Sequence, residues 1–189
     1  MQAFFVSTGI VALAEIGDKT QLLALLLAAK FRKPVPIVLG ILLATLLNHA
    51  LAGAVGSWLM AVIGPQWMRW ILGVSFLAMA GWILIPDQLD QDDTRFHEGL
   101  GVFGATVLAF FLAEMGDKTQ FATVAIAARY ADDYWWVIAG TTAGMMLANA
   151  PVVWIGNRAA QALPVKLVHR LAAGLFAVMG ILALLGVGG

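Results

Sequence analysis

Long apolar stretches alternate with short polar breaks along the whole chain. A helix needs roughly 20 apolar residues to cross the hydrocarbon core of a bilayer, and each stretch is about that long or longer. The stretches cover residues 4–29, 35–63, 67–85, 100–128, 135–155 and 165–187. This pattern predicts six transmembrane helices separated by short loops.

Composition favours a membrane protein and excludes several other classes. Hydrophobic residues make up 61% of the chain and charged residues 12%, whereas the apolar share of soluble domains is near ~50%. We therefore predict an all-α integral membrane protein. The sequence has no cysteine, which excludes thiolate catalysis and thiolate metal sites. Its formal net charge is zero and it has no basic patch, so no nucleic-acid partner is expected.

An internal repeat divides the chain into two halves. EIGDKTQ at residues 15–21 returns as EMGDKTQ at residues 114–120, 99 residues later. Each half holds three predicted helices, and because three is odd the second half enters the bilayer from the opposite side. We therefore predict two inverted-topology three-helix repeats, residues 1–86 and 99–189, joined by an acidic cytoplasmic linker at residues 87–98. Further positions align at an offset of 100: Gly40 with Gly140, His49 with Asn149, Gly56 with Gly156, and Phe76 with Phe176.

Basic residues in the loops set the predicted orientation, since cytoplasmic loops carry the excess of lysine and arginine. If the loop after the first helix is inside, the inside loops hold seven lysines and arginines and the outside loops hold two. Both termini of this multi-pass chain are then predicted to lie outside.

The repeated motif brings ionisable side chains into apolar surroundings. A charge at the bilayer centre costs about 2.5 to 3.5 kcal/mol on insertion scales. The six motif charges, left uncompensated, would therefore exceed a typical folding free energy of ~5 to 15 kcal/mol. On a continuous helix, Glu15, Asp18 and Lys19 would share one face. We expect the two motif faces to meet at the repeat interface near mid-membrane, around a cation.

The donor atoms of the two motifs suit a hard divalent cation. Four carboxylates and two lysines leave a charge of minus two, which one divalent cation or two protons would neutralise. Carboxylate, amide and hydroxyl oxygens suit Ca²⁺, Mg²⁺ and Mn²⁺. Lys19 and Lys118 are predicted to tune the charge, while Gly17 and Gly116 could open the helix so that backbone carbonyls join the site. The predicted metal ligands are Glu15, Asp18, Thr20, Gln21, Glu114, Asp117, Thr119 and Gln120.

Alternative interpretations of these polar residues stay open. Glu15 with Lys19, and Glu114 with Lys118, could be i,i+4 pairs that only neutralise each other, although this leaves both motif aspartates unexplained. Other polar residues in the second and fifth predicted helices are accessory candidates. Interhelical hydrogen bonding and a role in ligation or proton transfer would each explain them. These accessory candidates are Asn48, His49 and Asn149.

Two other functions are compatible with buried aspartates. An intramembrane aspartyl protease needs two membrane-embedded aspartates, and Asp18 with Asp117 could form such a pair. A protease requires neither the neighbouring Glu and Lys nor a symmetric duplication. A passive divalent cation channel usually carries rings of charge around a pore, whereas inverted repeats with a central ionisable cluster are typical of alternating access.

The paired motifs resemble the signature of a known transporter family. E-x-G-D-[KR]-[TS] opens each half here, as in the calcium and manganese cation/proton exchangers, which include Golgi manganese transporters and bacterial manganese exporters. The resemblance extends from EIGDKTQ to GTTAGMMLANAP at residues 140–151, and the short central loop is similar to that of compact bacterial members. Both motifs match the family pattern at every position.

This resemblance implies a function and a location. It implies a secondary active transporter in a bacterial inner membrane, which exports Mn²⁺ (or Ca²⁺) in exchange for protons and is not an enzyme. The cation and the protons are its substrates, the lipid bilayer surrounds it, and no resident cofactor is expected. A homo-oligomer is an open alternative to a monomer.

Overall fold

The computed structural model describes residues 1–85, 98–155 and 165–186. In these ranges all regular structure is helical, which confirms the all-α prediction. Two short 3₁₀ turns lie at Glu98–Leu100 and Ala131–Asp133. The predicted linker at residues 87–98 lies outside the described residues, except for Glu98, and so does Gly156 of the aligned glycines. The α-helices are α1 (Gln2–Glu15), α2 (Lys19–Phe31), α3 (Pro34–Ile63), α4 (Pro65–Trp82), α5 (Gly101–Glu114), α6 (Lys118–Arg129), α7 (Tyr134–Ile155) and α8 (Val165–Leu184).

The first and fourth predicted spans are each divided into two helices at the repeated motif. Helix α1 ends at Glu15 and α2 begins at Lys19, so the chain leaves the helix between them. The expectation that Glu15, Asp18 and Lys19 share one face of a continuous helix is therefore wrong. The half-helices α5 and α6 are separated in the same way.

Glycine explains where the helices break. Gly17 has φ of 85° and Gly116 has φ of 76°. Side chains with a Cβ rarely adopt this left-handed region, whereas glycine adopts it readily. The prediction that the helix opens at these two glycines is confirmed.

The helices of the two halves correspond in order: α1 with α5, α2 with α6, α3 with α7, and α4 with α8. Packing between the halves follows this correspondence. Helix α1 packs against α7 and α5 packs against α3, while α2 contacts α7 and α6 contacts α3. Helices α3 and α7 also contact each other, as do α4 and α8. Each half is therefore packed mainly against the other half.

Small residues allow the same close approach at two equivalent places. A Cβ added to Gly40 would lie 2.7 Å from the Cβ of Thr106, and one added to Gly140 would lie 2.9 Å from the Cβ of Ser7. Ser7 and Thr106 are 99 residues apart, so α5 meets α3 as α1 meets α7. These glycines are close-packing positions of the kind found between membrane helices.

The apolar core lies in two clusters. One joins α1, α4, α6, α7 and α8 and includes Phe76 and Phe176, whose ring centroids are 6.2 Å apart. The other joins α2, α3, α5 and α7 and includes Leu23, Ile41 and Phe110. Phe76 and Phe176 are aligned positions of the two halves, so equivalent residues of the two repeats contact each other in the first cluster.

The outer surface fits a membrane environment. Large apolar side chains point outward, for example Trp58 at 61% exposure and Leu147 at 62%, and exposed apolar surface on this scale is typical of contact with lipid. Helices α1 and α5, the first parts of the two broken spans, are apolar but shorter than a full span. Among the described residues, the helices long and apolar enough to cross a bilayer are Pro34–Ile63, Ala131–Ile155 and Val165–Leu184.

Candidate functional site

The two motif segments have the same backbone geometry. Glu15 and Glu114 are the last residues of α1 and α5, and Asp18 and Asp117 are the N-caps of α2 and α6. In each segment the aspartate N–H donates to the glutamate carbonyl, at 3.1 Å and 3.2 Å. Helix C-termini carry unpaired carbonyls that favour cations, and N-termini stabilise carboxylates. At each break, the C-terminus of one half-helix therefore favours a cation, and the N-terminus of the next half-helix stabilises the aspartate carboxylate.

A threonine of the same motif orients each glutamate. Thr20 Oγ1 donates to Glu15 Oε2 at 2.6 Å, and Thr119 Oγ1 donates to Glu114 Oε2 at 2.9 Å. Both glutamates are fully buried. The second oxygen of each, Oε1, has no hydrogen-bond partner within the described part of the chain. One carboxylate oxygen of each glutamate is thus fixed by a hydrogen bond, and the other oxygen is left to accept a further bond or a cation.

The two motifs meet, as the repeat predicts. Lys19 Nζ lies 3.5 Å from Asp117 Oδ2 in the other half. Glu15 interacts electrostatically with Asp117, and Glu114 interacts electrostatically with both Glu15 and Asp117. Because Lys19 pairs across the halves, i,i+4 neutralisation within one motif does not account for its charge.

The two motif glutamines bridge the helix breaks. Gln21 Oε1 accepts from the N–H of Gly17 at 3.1 Å, and Gln120 Oε1 accepts from the N–H of Gly116 at 2.7 Å. In each motif the bond pairs the glycine N–H, which has no backbone partner where the helix is interrupted. The glutamine oxygens therefore face the breaks in this conformation, and each keeps a second lone pair.

The glutamine amides also tie each motif to the opposite half. Gln120 Nε2 donates to the side chain of Asn48 at 2.8 Å, and Gln21 Nε2 donates to the carbonyl of Ala148 at 3.0 Å. Asn48 and Ala148 are equivalent positions, 100 residues apart. Asn48 also donates to the carbonyl of Phe111 at 2.9 Å, which supports the interhelical hydrogen-bonding interpretation for this residue.

The other two accessory candidates differ from each other. Asn149 Nδ2 lies 3.5 Å from Glu15 Oε2 and donates to the carbonyl of Met145 at 3.2 Å, so it lies beside a motif carboxylate. His49, at the equivalent position of the first half, is fully buried. Neither of its ring nitrogens has a hydrogen-bond partner among the residues described.

The two motif lysines are in different environments. Lys19 is 20% exposed and pairs with Asp117, whereas Lys118 is 2% exposed and its Nζ donates to the carbonyl of Ile85 at 2.8 Å. The two equivalent lysines therefore differ in exposure, so the surroundings of the two breaks are not the same.

The predicted ligands reach one interface without forming a compact cluster. No three histidine, aspartate or glutamate side chains in the described ranges lie close enough to hold a metal ion together. The eight predicted oxygen donors all lie in or beside the two breaks, and the two motif glutamates interact electrostatically across the halves.

One contact at the first break was not predicted. His169 Nε2, on α8, lies 2.8 Å from the carbonyl oxygen of Ile16. Sequence reasoning missed His169 because it lies outside the motif and outside the list of identical aligned positions. The available signal was its alignment with Arg69, another hydrogen-bond donor, at an offset of 100.

Comparison with known proteins identifies the family. The profile of the family described as "Divalent cation/proton antiporter GDT1" matches residues 3–91 and 102–188, one stretch in each half. The chain belongs to the GDT1 family of divalent cation/proton antiporters. It is therefore a membrane transporter and not an enzyme, which removes the aspartyl protease, and an antiporter family does not fit a passive channel.

Two relatives align over nearly the whole chain. A Vibrio cholerae serotype O1 protein named "Putative manganese exporter" is 53% identical over 181 residues, covering 96% of this chain and 90% of the relative. The Saccharomyces cerevisiae "Divalent cation/proton antiporter GDT1" is 23% identical over 235 residues, covering 96% of this chain and 83% of the relative. No solved structure matches the chain.

Proposed function

We propose that this GDT1-family protein exports Mn²⁺ from the bacterial cytoplasm in exchange for protons. The antiporter family supports cation/proton exchange, and the Vibrio cholerae relative, which is 53% identical over 181 residues, is named for manganese export. The donor set of the motifs also suits Mn²⁺, because carboxylate, hydroxyl and amide oxygens are ligands of hard cations. Ca²⁺ shares this preference and is the natural competitor in transport assays.

The proposed cation site is the interface of the two motifs. The observation that carries this proposal is the contact across the halves, where Lys19 pairs with Asp117 and Glu15 lies close enough to Glu114 to interact electrostatically. The proposed ligands are Glu15, Asp18, Thr20, Gln21, Glu114, Asp117, Thr119 and Gln120. Lys19 and Lys118 set the net charge, and Asn48, His49 and Asn149 support the site from α3 and α7.

The charge of the site provides the coupling. The motif carboxylates and lysines sum to minus two, and either one Mn²⁺ or two protons on the carboxylates brings the sum to zero. Both loaded forms can then reorient without moving net charge through hydrocarbon, whereas the unloaded form would carry two charges into a region where each is costly. Metal ligands bind metal in their deprotonated form, so Mn²⁺ and protons compete for the same oxygens.

The proposed architecture is six spans in two inverted repeats, residues 1–86 and 99–189, joined by the cytoplasmic linker 87–98. The matching order of helices and their reciprocal packing support it. The excess of basic residues in alternate loops supports an orientation with both termini outside the bacterial inner membrane. In this arrangement α1–α2 and α5–α6 are two discontinuous spans whose breaks meet at mid-membrane, as in other inverted-repeat transporters.

A reconstituted transport assay tests the proposed function. Proteoliposomes containing the protein and Mn²⁺ at equal concentrations on both sides are given a pH gradient. Mn²⁺ should then accumulate on the more acidic side, because protons leaving that side drive the cation towards it. Glu15→Gln and Glu114→Gln keep the side-chain size, remove the charge, and should abolish this accumulation. Mn²⁺ movement only down its own gradient would contradict the proposal and indicate a channel.

A further inference from the structure

The first helix break is covered by the beginning of α8. His169 Nε2 lies 2.8 Å from the carbonyl oxygen of Ile16, and since a carbonyl only accepts, Nε2 must be the donor. Ile16 directly follows α1, where the last carbonyls of a helix have no partner within the helix. His169 therefore donates to a backbone carbonyl that lacks a partner within the helix because the span is broken there.

A second contact covers the same break. A Cβ added to Gly17 would lie 3.3 Å from the Cβ of Val165 and closer still to its methyl groups. Val165 is the first residue of α8 and His169 lies one turn later. The first turn of α8 thus packs directly over Ile16 and Gly17.

Among the described residues, nothing packs over the second break as α8 packs over the first. A Cβ added to Gly116 would meet no described atom within 4 Å, and the neighbouring Met115 is 56% exposed. The residues equivalent to Val165 and His169 are Pro65 and Arg69, at the start of α4. Arg69 lies instead over the ring of Trp70, 5.1 Å from its centroid.

The packing of whole helices shows the same difference. Helix α8 packs against α1, whereas its counterpart α4 packs against α6 and makes no comparably extensive contact with α5. Helices α4 and α8 are closely joined to each other, since a Cβ added to Gly180 would lie 2.9 Å from the carbonyl oxygen of Gly73. A movement of one of these helices would therefore move the other.

We propose that His169 is a gating residue, that Arg69 is its counterpart in the second conformation, and that the α4 and α8 pair carries them. In the conformation described here, α8 covers the first break and His169 holds it closed. In the alternate conformation α4 covers the second break, and the Arg69 guanidinium donates to the carbonyl of Met115. Both residues are donors, as bonding to a carbonyl requires.

This inference rests on the proposed transport function, because alternation is needed only if the site opens to each side in turn. With both termini outside, the chain enters α8 from the cytoplasmic side, so the conformation described here is closed towards the cytoplasm. His169 and Arg69 bind no cation in this scheme. They decide which break is covered, and so which side the site faces.

Cysteine labelling can measure which break is covered. The chain has no native cysteine, so only an introduced thiol reacts. The equivalent variants Ile16→Cys and Met115→Cys form a matched pair, to be labelled in metal-free proteoliposomes with a hydrophilic maleimide present on both sides. The thiol at position 115 should react faster than the thiol at position 16. Adding His169→Ala should speed labelling at position 16 and slow it at position 115, each by about two- to tenfold, the range expected for the loss of one hydrogen bond.

Two further variants separate gating from general damage to the fold. His169→Gln retains an N–H donor and should restore most of the labelling difference, whereas Arg69→Ala should shift labelling in the direction opposite to His169→Ala. Unchanged labelling at both positions in His169→Ala, or faster labelling at both, would overturn the gate. Mn²⁺/H⁺ exchange by the unmodified protein is measured separately, so its absence would overturn the proposed function and leave the labelling result readable.

Discussion

At the scale of single residues, the structure shows how the motif carboxylates are oriented. Glu15 and Glu114 are each fixed by a threonine hydroxyl of their own motif, which leaves the other carboxylate oxygen without a hydrogen-bond partner among the described residues. Neighbours that orient a ligand usually affect metal binding strongly, because they determine the direction of its lone pairs.

The hydroxyl of Thr20 can be removed without changing the size of the side chain. Thr20→Val should lower the apparent Mn²⁺ affinity about 10- to 100-fold, as expected when a group that orients a ligand is lost. Thr20→Ser keeps the hydroxyl and serves as the matched control, with affinity near that of the unmodified protein. The apparent affinity is measured from the Mn²⁺ dependence of transport. Equal affinities for the valine and serine variants would show that the bond of 2.6 Å to Glu15 does not orient a ligand.

Sequence reasoning identified the interacting residues but not their bonds. The repeated EIGDKTQ and EMGDKTQ predicted that Glu15 and Glu114 share one interface, and the structure brings them together. The bonds of Gln21 and Gln120 to the glycine N–H groups were not predictable, because they exist only in the broken conformation. The eight-residue ligand set and the roles of the lysines stay predictions.

At the scale of helices, the sequence predicted the two breaks only in part. Glycine in both motifs suggested that the helix could open, but a glycine inside a helix costs only about 1 kcal/mol and does not require a break. The argument from 3.6 residues per turn therefore placed Glu15 and Asp18 on one helix. In the structure a positive φ at Gly17 separates them. The equivalent glycine, Gly116, has the same backbone conformation but a different environment.

This difference predicts unequal effects of the same substitution. Alanine at either glycine adopts the left-handed region at a cost of roughly 1 to 2 kcal/mol. Gly17→Ala also overlaps Val165, so it should be more destabilising than Gly116→Ala by about 1 to 3 kcal/mol, the usual cost of overpacking. Thermal unfolding in detergent measures the difference. Adding Val165→Ala should recover part of the loss for Gly17→Ala and none for Gly116→Ala, and equal losses without this recovery would refute the contact.

Close packing between α1 and α7 makes a separate prediction. A Cβ at Gly140 would lie 2.5 Å from the carbonyl oxygen of Phe4, so Gly140→Ala should lower stability by about 1 to 3 kcal/mol. Gly174, on α8, has no described atom within 4 Å of the Cβ position. Gly174→Ala should therefore be neutral or stabilising, since alanine favours a helix over glycine. Similar melting temperatures for the two variants would contradict this packing.

At the scale of the whole molecule, the repeat predicted more than composition did. Two copies of one motif implied two equivalent three-helix halves, and the structure pairs α1 with α7 where α5 pairs with α3. The sequence could not reveal that α4 and α8 make different contacts with these half-helices. Near-identical motifs cannot indicate which helix break is covered by a neighbouring helix, because this depends on the conformation that the protein adopts.

The loop charges predict the orientation in the membrane, which can be measured directly. In intact cells, Gln66→Cys should react with an impermeant thiol reagent added outside. Gln91→Cys, in the acidic linker, should react only after the membrane is permeabilised, because the linker is placed in the cytoplasm. The reverse pattern would invert the proposed topology and, with it, the side towards which α8 closes the site.

The most direct test of the proposed function is the ratio of protons to Mn²⁺ in one transport event. Proteoliposomes loaded with Mn²⁺ are clamped at set membrane potentials with potassium and valinomycin, while Mn²⁺ efflux and internal pH are followed together. A site with a charge of minus two should take up two protons for each Mn²⁺ released, at a rate that does not depend on the clamped potential. Efflux without proton counterflow, or a rate that rises steeply with potential, would contradict exchange at a single shared carboxylate site.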